Sequence, residues 1–187
     1  FDEKITTDGY KTHLENNTIL DVMHHEIVNK GDTFYIPTGR VHAIGAGVLL
    51  AEIQQTSNIT YRIYDYDRVD SKTGEKRELH TDMAMDVLDY EVHDNYKTSY
   101  SLEKNISNEL VHSPYFRTNI LDINTTIAKD YSAIDSFVIY MCVEGTVSLL
   151  SEGTTYTINQ GETLLLPASL KKVQLKAKEA KVLEVYY

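Results

Sequence analysis

The rhythm of apolar and polar positions divides the chain into a helical start, a strand-like middle and a second half made almost wholly of strands. In "THLENNTILDVMHHEIVNKGD", Leu20, Met23 and Ile27 recur at helical spacing, and Asn29-Lys30-Gly31 supplies a stop. From Asp32 to about Arg68 the period shortens. "TFYIP", "AGVLLAEIQQTS" and "ITYRIYDYDRV" read as strands, the last with Tyr61 and Ile63 alternating with Arg62 and Tyr64. "DSKTGEKRELH" is a charged turn around Gly74. "TDMAMDVLDY" predicts a helix capped by Thr81-Asp82, with Met83, Val87 and Leu88 on one face. Residues 91–111 are polar and irregular, a surface connection. From His112 onwards, short strands are separated by Glu-Gly, Glu-Gly and Gln-Gly turns. Strands at this density predict an antiparallel jelly roll or barrel that closes to protect its edges.

One pattern occurs twice. "GDTFYIPTGRVHAI" and "GETLLLPASLKKVQL" share a glycine, an acid, a strand and a proline at the same spacing, as two copies of one β-barrel unit would. The second copy has Ser169 in place of Gly39 and Lys172 in place of His42, so it has no metal-binding imidazole and a structural role is expected for it. The first copy lacks its earlier strands. Three segments are therefore expected: a helical segment 1–30, a histidine-bearing half 31–110 with its following helix and connection, and a histidine-free unit 111–187. In the first copy Pro37 stiffens the strand exit and Gly39 permits a turn that a Cβ would oppose. Such a turn sends His42 inward to a barrel mouth, where neutral imidazole is a common metal ligand. A buried histidine satisfied by a backbone carbonyl is the competing reading for an isolated one.

Composition narrows the function classes. A formal net charge of −10 argues against nucleic acid or an anionic membrane as partner, while leaving room for a local basic cluster facing a phosphorylated substrate. Tyrosine occurs 14 times and tryptophan not at all, which suits sheet surfaces and binding clefts. The single cysteine, Cys142, excludes an internal disulfide and fits a reducing compartment; with no signal peptide or apolar span, the cytoplasm is expected. Phe1 and "FDEKITTDGY" read like the interior of a longer chain.

Gly31-x5-Pro37-x-Gly39-x2-His42 resembles the second sequence box of the cupin superfamily. The stretch "VHAIGAGVLLAEIQQTSNITYRIYDYDR", continued by "KRELHTDMAMDVLDY", resembles the short bacterial class of type I mannose-6-phosphate isomerases. That resemblance implies a mainly β, cupin-type double-stranded β-helix with two related barrel units, the first incomplete, plus short helices. It also implies an aldose–ketose isomerase interconverting mannose 6-phosphate and fructose 6-phosphate with one divalent metal, zinc, held by a Gln, two His and a Glu.

His42 matches the last of those histidines; the other ligands fall upstream and have no counterpart here. The chain by itself is thus expected to have an incomplete metal site and little or no isomerase activity, since one imidazole does not hold a four-coordinate zinc. By the same resemblance Arg62 is the active-site arginine that stabilises the enediol, Arg68 a cation near the substrate phosphate, and Asn58 a further substrate contact. A surface salt bridge is the alternative for both arginines. Glu52 and Gln54 share one strand face and are expected to orient His42 by hydrogen bonding. His24-His25, His80, His93 and His112 have no partner at ligand spacing, and Cys142 reads as an inert core residue. The alternative function is a non-catalytic cupin module that binds a sugar or effector. A cupin dioxygenase is disfavoured, because no His-x-His box precedes Gly31.

Overall fold

The computed structural model describes every residue from Phe1 to Tyr187. The chain forms two compact units, Phe1–Leu50 with Thr56–Lys97, and Ala51–Gln55 with Thr98–Tyr187. The segments expected from the sequence ended at residues 30 and 110; the compact units break at Leu50 and Lys97 instead, and the short segment Ala51–Gln55 joins the second.

The second unit holds eight strands: β1 (Ser107–His112), β2 (Arg117–Ile123), β3 (Thr126–Asp130), β4 (Val138–Ser151), β5 (Thr154–Asn159), β6 (Thr163–Leu166), β7 (Lys172–Lys176) and β8 (Ala180–Tyr186). All the ladders are antiparallel, in the order β1-β2-β8-β4-β7-β3, with β5 and β6 also on β4. The jelly-roll expectation holds here. β4 is the hinge of the arrangement. Its first half, Val138–Gly145, pairs with β8 and β6; its second half, Thr146–Ser151, pairs with β5 and β7.

A bulge between Cys142 and Glu144 inserts one residue at the crossing. Val138, Tyr140 and Cys142 are buried before it, and Val147, Leu149 and Ser151 after it. The parity shift lets one strand keep its apolar side on the core while it passes from one sheet to the other. Gly145 stands at the crossing with φ 75°, and a Cβ there would overlap the carbonyl oxygen of Glu179. Gly145→Ala is expected to lower the stability of this unit by about 2 kcal/mol, measured from the denaturant midpoint at unchanged m-value.

Inside lie Leu121, Ile123, Val138, Leu149, Ile158, Leu175 and Val182. Cys142 is fully buried, with its thiol pushed up by burial, so the inert-core reading of it stands. The opposite face of β8 and β2 is covered as well: Leu183, Ile120 and Leu110 pack with Ile53 and Tyr100. Two phenols and a carboxylate share the interior. Tyr131 hydrogen-bonds both Tyr140 and Glu184, and burial, then the neighbouring Tyr140 and Glu184, pushes the Tyr131 hydroxyl far above its ordinary 10. Burial does the same to Tyr140. The unfolded phenols ionise near pH 10 while the folded ones keep their protons, so this contribution to stability is present below pH 10 and lost above it. An alkaline fall in melting temperature, made smaller by Tyr131→Phe, would show it.

The first unit contains α1 (Thr7–Glu15), a 3₁₀ turn (Ile19–Val22) and α2 (Thr81–Met85). Thr6 caps α1 by accepting a hydrogen bond from the Gly9 amide at 3.1 Å. Ile5, Tyr10, Ile19 and Val22 form its core with Leu14, Ile63, Met85, Leu88 and Tyr90 around them. Burial, followed by the nearby Tyr90, raises the Tyr10 hydroxyl to about 12.

Several sequence expectations need correction in this unit. The helix expected up to Gly31 lies earlier, at Thr7–Glu15, and Ile27 is 84% exposed rather than on an apolar face. α2 starts after His80 without a side-chain cap, and it buries Ala84, with Met85 and Leu88 alongside, while Met83 and Val87 face out. None of the strands expected between Asp32 and Arg68 forms a ladder; one isolated bridge, Val69 with Lys76, is the only pairing near them. Alternation marks a segment fit for a sheet, but a strand exists only when a second segment accepts its hydrogen bonds. Leu49 at 91% and Ile59 at 70% exposed show apolar positions left uncovered. No helix is long and apolar enough to cross a membrane.

Candidate functional site

His42 leaves a turn whose shape is set by backbone and short side chains. The Asn29 amide donates to the Asp32 carboxylate at 2.8 Å while the Asp32 amide donates back to the Asn29 carbonyl at 3.0 Å. Gly31 between them has φ 96°. Beyond the strand-like run, the Arg40 amide donates to the Pro37 carbonyl at 3.2 Å. Gly39 has φ 91°, its carbonyl accepts from the Asp89 amide at 2.9 Å, and a Cβ on it would overlap the Val87 carbonyl.

The repeat reproduces this construction 130 residues later, with the Asn159 amide to Glu162 at 2.7 Å, the Glu162 amide to the Asn159 carbonyl at 2.9 Å, and the Leu170 amide to the Pro167 carbonyl at 2.9 Å. The echo in the sequence is therefore a repeated hydrogen-bonded turn, one residue pair longer than the shared letters suggested. Lys172 takes the place of His42 in it and pairs with Asp130 at 3.6 Å.

The His42 ring is exposed, and its Nδ1 donates to the Arg40 carbonyl at 3.0 Å. A carbonyl can only accept, so this bond fixes the proton on Nδ1 and leaves the Nε2 lone pair facing away from the backbone. That is the usual way a second partner prepares an imidazole to ligate.

Two arginines of the same unit meet on one carboxylate. Asp65, 7% exposed, is gripped by Arg77 through Nε at 2.7 Å and a second, closer bond from Nη2. Arg68 lies 3.4 Å from the same carboxylate, donates to the Asp65 carbonyl at 3.3 Å and sits over the Tyr66 ring at 5.3 Å. The bonds from Arg77 hold the Asp65 carboxyl below its ordinary range, with Arg68 and Arg62 adding to the effect. Arg62 itself is anchored by its main chain: its amide donates to His80 Nδ1 at 3.1 Å and its carbonyl accepts from the His80 amide at 2.7 Å. Its guanidinium donates to the Glu78 carbonyl at 3.2 Å. No hydrogen bond or ion pair joins Arg62 to His42. Asn58 is exposed and makes no hydrogen bond. Arg77 was not among the sequence candidates, and only the ion-pair geometry brings it forward.

Comparison with known proteins gives this arrangement a context. Residues 106–187 match the family model described as the mannose-6-phosphate isomerase cupin domain. Mannose-6-phosphate isomerase of Streptococcus mutans is 35% identical over 148 residues, which cover 79% of this chain and 46% of that protein. Mannose-6-phosphate isomerase ManA of Bacillus subtilis is 30% identical over 173 residues, 91% of this chain and 54% of the relative. The crystal structure of the mannose 6-phosphate isomerase from Bacillus subtilis superposes with a TM-score of 0.55 at 31% identity, covering 68% of this chain and 40% of that one. The chain thus carries the mannose-6-phosphate isomerase cupin domain and is similar to those isomerases along most of its length. It spans about half the length of the curated relatives it matches.

Only one set of three donor residues brings its ligand atoms together, and it is Asp89, Glu91 and His93, with those atoms within 4.8 Å. The expectation that His93 has no partner is thus overturned: Asp89, Glu91 and His93 come together in a segment that is neither helix nor strand, where the Glu91 amide donates to the Asp89 carboxylate at 3.0 Å. The Arg40 guanidinium already occupies that place, 2.9 Å from His93 Nε2 and 3.3 Å from Asp89. A cation in place there stands against a second one.

His24 is not helical; its ring nitrogens bond Asp2 at 2.8 Å and Glu26 at 3.0 Å, and those two bonds raise its pKa. His42 stands in no group of three His, Cys, Asp or Glu residues whose ligand atoms lie together. Glu52 and Gln54 belong to the second unit, where both are exposed and the residue between them, Ile53, packs on Leu110, Ile120 and Leu183.

Proposed function

We propose that this chain works as part of an aldose–ketose isomerase that interconverts mannose 6-phosphate and fructose 6-phosphate. The likeness to the Streptococcus mutans isomerase along most of the chain carries the reading. The reaction moves a proton between C1 and C2 through an enediol, and negative charge gathers on the former carbonyl oxygen. Arg62 is the residue assigned to that oxygen, with its backbone clipped to His80 so that the guanidinium is presented from a fixed point. Arg68, 63% exposed and a fork donor, suits the phosphate dianion, with Asn58 as a further contact and Asp65 holding its stem.

His42 is proposed as one ligand of a divalent metal, zinc, which when bound supplies a Lewis acid to the sugar oxygens. Its Nε2 is the donor atom, and the Arg40 carbonyl on Nδ1 orients the ring in place of Glu52 and Gln54, which are exposed in the second unit. The remaining ligands are proposed to come from the part of the family's length that these residues do not span. The acidic net charge and the lone buried cysteine support a cytoplasmic place for it.

The test is a coupled assay of fructose 6-phosphate formation from mannose 6-phosphate with added zinc. The 187 residues alone are expected to give no turnover above background. A protein joining them to the upstream half of a family member is expected to turn over, and to lose that activity with His42→Ala. Turnover by the isolated chain would overturn the shared metal site; an active His42→Ala protein would overturn the role of the imidazole.

A further inference from the structure

Within the second unit a cavity of about 290 Å³ opens against β8, lined by Ser107, Asn119, Lys129, Tyr131, Glu184 and Tyr186. That volume is near the lower end of small-molecule sites, about 300 Å³. Its floor is polar and nearly sealed. Glu184, 1% exposed, accepts from Ser107 Oγ at 2.7 Å, from Asn119 Nδ2 at 2.9 Å and from the Tyr131 hydroxyl, and pairs with Lys129 Nζ at 2.8 Å. Lys129 also donates to Ser107 at 2.6 Å.

Buried polar groups are costly unless they are matched, and this set is matched almost completely. What it leaves over is specific. Lys129 has a third proton beyond its bonds to Ser107 and Glu184. Asn119 is 8% exposed and spends only its amide nitrogen, on Glu184 and weakly on the Tyr186 hydroxyl at 3.4 Å, so its carbonyl oxygen has no protein partner. The Tyr186 hydroxyl keeps its own proton.

We infer that this histidine-free barrel is a binding site in its own right, for a small neutral polyhydroxylated molecule. Two donors and one acceptor converge on a small space, and a hydroxyl group is the one common function that answers both at a single atom. Charge argues the same way. The lining carries two carboxylates, Glu184 and Asp130, against one ammonium, Lys129, which Glu184 neutralises; of the cations beside it, Lys172 pairs with Asp130 and Lys171 donates to the Ile134 carbonyl at 2.7 Å. A phosphate dianion offers acceptors only and would meet the Glu184 and Asp130 carboxylates. Ile134 and the tyrosine rings supply apolar surface for the carbon faces of a polyol.

The measurement is side-chain NMR of the full 187-residue chain, following the Asn119 amide and the Tyr131 and Tyr186 rings during titration with mannitol, mannose 6-phosphate and inorganic phosphate. Mannitol is expected to shift these signals saturably, with binding about fivefold weaker in Tyr186→Phe, which removes one hydroxyl and nothing from the core. The two phosphate compounds are expected to leave them in place. With Glu184→Gln, the freed Lys129 charge should admit both. Absence of a saturable mannitol response in the folded wild-type chain, an equal response to phosphate, or unchanged affinity in Tyr186→Phe would each overturn the inference. None of these outcomes depends on isomerase activity.

Discussion

Exchanging Lys129 for methionine is expected to destabilise the second unit by about 3–5 kcal/mol, because the buried Glu184 carboxylate then loses its only cation. The stem volume is kept, so packing loss does not confuse the result. Glu184→Gln should be milder, since the amide oxygen can still accept from Ser107 and Asn119, its NH2 can donate to the Tyr131 oxygen, and Lys129 reaches solvent through its 19% exposed side chain.

The pair also has a pH signature. Burial pushes the Glu184 carboxyl up, but the Lys129 charge and the bonds from Lys129, Tyr131 and Ser107 outweigh it, and the net direction is down from 4.5. A carboxyl lowered on folding contributes stability that is present above its unfolded value and lost as pH falls through the folded one. Urea midpoints of the wild type should thus fall in acid below about pH 4.5, and those of Glu184→Gln should fall less. A Lys129→Met protein as stable as the wild type at pH 7 would show that the carboxylate is neutral in the fold.

The second large effect is on the reaction. In an isomerase completed as described above, Arg62→Lys is expected to lower kcat about 10²–10³-fold with KM little changed. The backbone of Arg62 is fixed on both sides by His80, so the change alters the head group and not its point of attachment. One guanidinium donor is spent on the Glu78 carbonyl; a fork can make that bond and still address a developing oxyanion, whereas a lysine offers a single point charge. Arg68→Ala should act in the other parameter, raising KM through lost phosphate contact. If Arg62→Lys leaves kcat intact, the guanidinium is a clip for the Glu78 main chain and nothing more.

What the sequence disclosed tracks how local each determinant is. The second unit was legible because its turns are written in short codes: Glu152-Gly153 and Gln160-Gly161 each mark a glycine with positive φ between alternating runs, whereas Glu144-Gly145, expected as a third turn, lies within β4 at its bulge. The turn before His42 was legible for the same reason, down to the need for glycine at position 39. The strands expected between Asp32 and Arg68 were not realised, because alternation records a fitness for pairing and says nothing of whether a partner segment is at hand. Ion pairs over distance left no trace at all. Arg77 lies 12 residues from Asp65, and Glu184 lies 55 from Lys129; no period links them, and only the folded chain brings them together. Arg40 against Asp89 and His93 is a third such case, invisible because the three sit in segments of unrelated pattern.

The position of β8 has a consequence for how the protein is made. Residues 180–186 are the last strand in the chain yet lie between β2 and β4, holding a full ladder with each. A nascent chain therefore reaches the tunnel exit with both neighbours displaying open edges, and it can zip neither until those seven residues emerge. Until that moment the half-made sheet shows two unpaired edges to its neighbours on the polysome.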